Sequence, residues 1–321
     1  MNSESAARNL PIGSDWEDQF LDWYSQQNHP MFENKLKLGH LDYYHFSSQF
    51  PVADSRHAQS FGSGLDRRSA ALKCAGEAVE RQVMFRYFAE NRERFPKAFR
   101  NSNGWAVHST LELAKQKAVN EAIERHLLLL SFCKFGWAGF KEVHTLEAGE
   151  ITVKFFESRC RSNGKSSGLV AAQTRGQDGI SFGYCLLDLD RQQAGGPWQA
   201  AMFEAVDKIL LFDPNYKPQE SISWMTKENL RLLEAAFDLN QIGGGEDFVP
   251  YEVETGDFTV EVIDVALEQN LKFPLYAAFA YGGDLIPLFW KTELDAAAEA
   301  QLLEKLRRHG VSSIPDWHPV L

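Results

Sequence analysis

A hexapeptide that returns three times restricts this chain more than any other feature. Gly76-Glu77-Ala78-Val79-Glu80-Arg81 is the first copy, and Asn120-Glu121-Ala122-Ile123-Glu124-Arg125 is the second. Phe203-Glu204-Ala205-Val206-Asp207-Lys208 is a degraded third. Each lies in an Ala-rich stretch without proline, which predicts a helix. In each copy two acids stand three residues apart, so they share one helix face. Two such helices packed side by side converge four carboxylates. Carboxylates gathered this way repel strongly unless cations neutralise them. Hard divalent cations, Mg²⁺ above all, take oxygen ligands and bridge carboxylates to nucleotide phosphates. The repeat therefore predicts a Mg²⁺–nucleotide site between helices, without a glycine-rich phosphate loop. A simpler reading stays open beside it. Glu77–Arg81, Glu121–Arg125 and Glu204–Lys208 are i,i+4 pairs, each worth ~0.2–0.5 kcal/mol on an exposed helix.

The rest of the chain bounds the class. Its 321 residues can bury a large core without staples. Lys and Arg number 33 against 44 Asp and Glu, a net charge of −11, which disfavours a general nucleic-acid binder. Cys74, Cys133, Cys160 and Cys185 form no C-x-x-C pair and read as buried, reduced thiols of a cytoplasmic protein. The polar N-terminus has no signal-peptide core. The longest apolar stretch, near Leu127 to Phe140, is broken by Ser131, Lys134 and Gly136, so no membrane span is expected.

Trp16, Phe20 and Trp23 predict a short amphipathic helix. Leu41 to Phe46 reads as a strand, Gly62-Ser63-Gly64 as a turn, and Arg67 to Tyr87 as a helix. A capping box at Ser109-Thr110-Leu111-Glu112 opens a helix to about Phe135. Ile151 to Leu187 reads as strands separated by 162–168 and 176–179, followed by a helix from Trp198 to Phe212. Thr226 caps a helix to about Asp238, and Gly243-Gly244-Gly245 is a link. Tyr251 to Val265 is strand-like. Leu275–Tyr281 and Leu285–Trp290 predict a hairpin around Gly282-Gly283-Asp284. Thr292 caps a last helix ending at Gly310. The expectation is an α+β fold, with residues 1–40 a helical extension and residues 41–321 one composite domain.

These segments resemble the YcaO family. Gly62 to Arg81 looks like that family's first signature, a Gly-Lys-Gly turn leading into an Ala-rich Glu-Ala-Ile-Glu-Arg helix. Ser102-Asn103-Gly104-Trp105-Ala106, with Thr110-Leu111-Glu112 and the second hexapeptide, looks like the next. Gly183-Tyr184 followed by Ala200–Glu204 looks like the third. The likeness is collinear from about Leu41 to Phe212. It implies a YcaO-like mixed α/β fold, with ATP in a pocket lined by acidic Ala-rich helices. It also implies ATP-dependent activation of peptide backbone amides. In azoline-forming members a Cys, Ser or Thr side chain adds to the preceding carbonyl, the oxyanion attacks the γ-phosphate, and phosphate leaves with the former amide oxygen.

Carried over residue by residue, the resemblance makes Glu77, Glu80, Glu121 and Glu124 the ligands of Mg²⁺ and phosphates. Arg125 balances charge, and Asn103 and Glu204 line the nucleotide pocket. The family's tail carboxylate would be that of Leu321, although the alternating prolines are missing. The implied partners are a precursor peptide and a separate leader-peptide-binding protein, with a homodimer as a further expectation. Four positions depart from the pattern: Ser63 replaces the turn lysine, Lys73 and Lys117 replace small polar residues, and Ala200 replaces an arginine. Lys73 and Lys117 could return positive charge to the phosphates. They could instead pair with Glu77 and Glu121 and leave a catalytically degenerate, peptide-binding scaffold. His108 is a candidate nucleotide or substrate contact. A metal site at His40, Asp42 and His45 is the weaker thought.

Overall fold

The computed structural model describes residues 14–27, 29–52, 57–175, 180–190, 196–212, 242, 248–289 and 291–315. Three antiparallel sheets carry the helices. The first is β1 (Met31–Leu38), β2 (Leu41–Pro51) and β3 (His57–Gly64), in that order. The second has β10 (Thr259–Asp264), β11 (Tyr276–Tyr281) and β4 (Trp105–His108). The third runs β5 (Phe140–Ala148), β6 (Ile151–Ser162), β7 (Lys165–Thr174) and β8 (Ile180–Asp188), with β9 (Tyr251–Glu252) parallel to β6.

Helix α1 (Ser14–Ser25) buries Phe20 and Tyr24 and is clipped to the next helix by Arg68, which pairs with Glu17 and Asp18. Helix α2 (Arg67–Glu90) lies on β2 and β3, and α4 (Gly196–Phe212) lies on β7 and β8. Between them α3 (Leu111–Phe135) touches both the second and third sheets. Its buried Ala114, Ala118 and Ala122 meet Ala278 and Ala280 of β11, while Leu127 to Leu130 enter the largest core. Small residues bring helix and strand backbones close. A Cβ at Gly62 would stand 2.2 Å from the Ala70 carbonyl oxygen, and one at Gly183 would stand 1.9 Å from that of Ala201. The last helix, α5 (Ala296–Arg308), packs Leu302 and Leu306 into the core. Among the described residues no helix is long and apolar enough to cross a membrane.

Several local expectations change. Gly62-Ser63-Gly64 ends strand β3 instead of forming a turn, because Gly62 serves close approach to α2. Thr110, not Ser109, caps α3 by accepting from Leu113 N–H at 3.3 Å, and Glu112 turns outward to Lys115. The β6–β7 turn is only Asn163-Gly164, both at positive φ. Residues 285–289 form no hairpin strand. Pro287 has no N–H, and the Ile286 N–H is spent on His126 Nδ1 at 3.1 Å. The strand β11 pairs instead with β10 and β4. Asp295, not Thr292, caps α5 through the Ala298 N–H at 2.8 Å. The expected helix after Thr226, the link at 243–245, the 176–179 turn and the tail with Leu321 lie outside the described residues.

Candidate functional site

The three acidic repeats meet where α2, α3 and α4 approach one another. On α2, Glu77 is clamped: its carboxylate accepts from the Phe61 N–H at 2.7 Å and pairs with Arg81. Arg81 in turn donates to the Gln59 carbonyl at 2.5 Å. On α4, Glu204 is held the same way. It accepts from the Tyr184 N–H at 3.2 Å and pairs with Lys208 at 3.0 Å, and Lys208 donates to the Phe182 carbonyl at 2.8 Å. So the i,i+4 pairs exist on these two helices, but as ties to the neighbouring strand.

Helix α3 differs. Arg125 lies 3.7 Å from Glu124 and packs over the Tyr184 ring at 4.3 Å. Its buried Nη1 has no hydrogen-bond partner, and neither has the buried Oδ1 of Asn103. Asn103 precedes Gly104, which sits against Ala122, the residue after Glu121. Unpaired buried polar atoms are uncommon and ask for a reason.

The electrostatics show convergence. Burial, then Glu121 and Glu77, push Glu80 well above the usual carboxylate range. Burial raises Glu121 to about 8, opposed by Arg125 and aided by Glu124, Glu204 and Glu77. Glu124 rises to about 7, again by burial first, with Arg125 opposing and Glu204 adding. Burial also acts on Glu204, yet Lys208, Arg125 and the Tyr184 N–H outweigh it and leave this carboxyl lowered. Burial pulls Arg125 down, but Glu124, Glu204 and Glu121 hold it above its ordinary value. Glu77, Glu80, Glu121, Glu124, Glu204 and Arg125 are all half-buried, the condition of groups that line a concave site. Among the described residues no three His, Cys, Asp or Glu side chains stand close enough to hold a metal ion. The acids share one field without forming a closed cage.

Lys73 and Lys117 stand at the edge of this group and keep solvent access. Both are lowered by the protein around them; Asp207 opposes this at Lys73, and Glu80 opposes it at Lys117. Among the described residues Lys73 forms no ion pair with Glu77, nor Lys117 with Glu121. Lys73 instead donates to the Ser63 carbonyl at 2.9 Å. Ala200 is exposed. His108 borders Lys117, and burial followed by that charge lowers it to about 4. Its ring lies parallel to Trp16 at 6.4 Å. His40 is exposed and Asp42 pairs with Lys35 and Lys37, so these two do not join His45.

Sequence reasoning gave no role to Tyr43 and Asp207 and weighed His45 only with His40 and Asp42; the structure buries Tyr43, His45 and Asp207 together with Ser63. Asp207 is the second acid of the third copy, and its place in that register was the signal.

No protein-family model and no curated protein matches this sequence. Solved structures do. A YcaO from Methanopyrus kandleri, bound with AMPPCP and Mg²⁺, superposes with a TM-score of 0.53 at 13% identity, covering 95% of this chain and 96% of that one. The chain has the YcaO fold. A heterocyclase in complex with substrate and cofactor gives a TM-score of 0.50 at 11% identity; the match covers 90% of this YcaO-fold chain but only 55% of the heterocyclase. The E. coli microcin synthetase McbBCD complex, with pro-MccB17 bound, gives 0.50 at 12% identity over 79% of this chain and 87% of that one. The α+β class, and the YcaO-like architecture implied by the resemblance, are those of the structure.

Proposed function

We propose that this YcaO-fold protein binds ATP with Mg²⁺ between α2, α3 and α4 and uses it to activate backbone amides of a ribosomally made peptide, by azoline-forming cyclodehydration. The observation that carries the reading is the set Glu80, Glu121 and Glu124, half-open acids that burial and their mutual repulsion raise and that Arg81 and Arg125 on the same helices offset only in part. The donor set is all oxygen, which suits a hard cation. No three of these acids form a metal cage by themselves, so Glu77, Glu80, Glu121 and Glu124 would supply only part of the oxygen ligands of Mg²⁺, and the ion would offset their repulsion when it arrives with the nucleotide. Asn103 Oδ1 and Arg125 Nη1, which make no hydrogen bond among the described residues, offer an acceptor and a donor to the nucleotide. Lys73 and Lys117 bring positive charge to the edge where phosphates would lie. Phosphoryl transfer rests on positioning and charge stabilisation, which this arrangement supplies. The solved structures with AMPPCP and Mg²⁺, and with peptide substrates, support the reading. A precursor peptide and a leader-peptide-binding protein are the partners proposed, with residues 41–321 acting as one unit.

Exposed Ala200, where the family carries arginine, favours a second reading: a degenerate, peptide-binding scaffold. Lys73→Ser separates the two. Loss of a charge-assisted contact weakens ATP binding roughly tenfold to a hundredfold, with melting unchanged, if the site works. Unchanged or tighter binding with a lower melting temperature selects the scaffold.

A further inference from the structure

One polar cluster beside the acids has no part in that reading. Tyr43 and His45 come from β2, Ser63 from β3 and Asp207 from α4, and all four are buried. The Ser63 hydroxyl donates to the Asp207 carboxylate. Tyr43 donates to the other carboxylate oxygen at 3.2 Å. His45 Nδ1 lies 3.1 Å from both Asp207 and the Ser63 hydroxyl. An ionised carboxylate only accepts, so three donors converge on one anion and the His45 proton belongs on Nδ1. That leaves His45 Nε2 buried and unpaired, an acceptor toward which no donor points.

Such an anchored anion costs desolvation, and three neutral or titratable donors do not cancel its charge. The cation beside it is Lys73, whose ammonium is bound to the carbonyl of Ser63, the same residue whose hydroxyl is bound to Asp207. Two bonds therefore run from Asp207 through Ser63 to Lys73.

We infer that Asp207 is a positioning residue: through Ser63 it holds the Lys73 ammonium at the edge of the acidic cleft, where the phosphates of a nucleotide would meet it. This rests on the Mg²⁺–nucleotide reading and adds to it an anion from α4 that steers a cation from α2. The charged and titratable groups facing Lys73 are Asp207 from α4, Lys117 from α3, and His45 and Tyr43 of β2 behind Ser63. Lys117 adds repulsion and Asp207 relieves it, which agrees with the directions in which each acts on Lys73.

The test reads Lys73 itself. Pulse acetylation at pH 8.5, mapped by mass spectrometry, reports the neutral fraction of each lysine amine. Asp207→Asn keeps one acceptor oxygen, enough for either Tyr43 or Ser63, and removes the charge. Lys73 should become about fivefold more reactive, with Lys117 unchanged. Equal reactivity of Lys73 in a folded Asp207→Asn protein overturns the inference. If that variant does not fold, Ser63→Ala serves. It cuts the Ser63 hydroxyl bond through which Asp207 acts on Lys73, so Lys73 reactivity should rise as in Asp207→Asn; no change there is likewise fatal. A double-mutant cycle on Mg²⁺–ATP affinity follows. Asp207→Asn should weaken binding about fivefold in the wild-type background and add no further loss in the Lys73→Ser background. An equal loss in both backgrounds assigns Asp207 a structural role only. Absence of ATP binding by the wild type defeats the nucleotide reading, while the acetylation result still decides the role of Asp207.

Discussion

Helices α2 and α4 secure their first glutamate in one way, and α3 does not. Glu77 and Glu204 each take a backbone N–H from the adjacent strand and a basic partner one turn on, and that base reaches a carbonyl two residues back along the same strand. These clamps bind helix to sheet. On α3 the same six-residue pattern sets Ala122 against Ala278 and Ala280, the strand N–H of Leu186 goes to the second glutamate, Glu124, and Arg125 turns to Glu124 and Tyr184. One sequence motif thus does two jobs. At the outer helices its first glutamate ties helix to strand, while Glu121 and Glu124 of the central helix, with Glu80 of α2, form the acidic group that a ligand can use.

Substitutions break this comparison most strongly on the ligand side. Glu121→Gln or Glu124→Gln should cost about a hundredfold in Mg²⁺–ATP affinity, the size of a lost charge-assisted contact. Neither should lower the metal-free melting temperature, since each removes an unfavourable buried charge. Glu77→Gln and Glu204→Gln should instead lower stability in calorimetry, by about 1–3 kcal/mol through the broken clamps, with Glu77→Gln also weakening Mg²⁺–ATP binding.

The pH dependence sharpens the contrast. Glu121 and Glu124 are raised from 4.5 to about 8 and about 7. A raised group contributes stability that is complete below the unfolded pKa and lost as pH rises through the folded one. The metal-free protein should therefore lose stability from pH 4.5 toward pH 8. Added Mg²⁺ should raise the melting temperature more at pH 8.5 than at pH 6. Equal Mg²⁺ effects at the two pH values contradict a coupled carboxylate site.

A smaller effect of opposite sign is expected next door. His126 follows Arg125 but faces the core, where burial, then His309 and Lys305, lower it to about 3. The Ile286 N–H occupies its Nδ1, so its own proton is on Nε2. A lowered histidine contributes stability that is complete above 6.5 and lost as pH falls toward about 3. His126→Asn should flatten that acid limb in thermal melts without moving the alkaline one.

The acids were legible because a helix repeats its faces by spacing alone, and Glu77, Glu80, Glu121, Glu124 and Glu204 do share one field. The strand clamps were not, since Phe61 and Tyr184 contribute backbone N–H groups that no side-chain pattern marks. Gly62 read as a turn because glycine signals both turns and close approach, and only the position of the Ala70 carbonyl separates them. Strands β1 and β5 went unread. Their faces are mostly solvated, so their alternation carries little apolar signal. The failed hairpin at Leu285 turned on His126, a partner 160 residues away.

The most direct measurement is a calorimetric titration of ATP into the protein with Mg²⁺ and again in EDTA. Binding that requires Mg²⁺, and that Glu121→Gln weakens about a hundredfold, is the predicted result. Equal binding in EDTA, or none at millimolar ATP with Mg²⁺ present, contradicts the claim that these helices form a metal–nucleotide site.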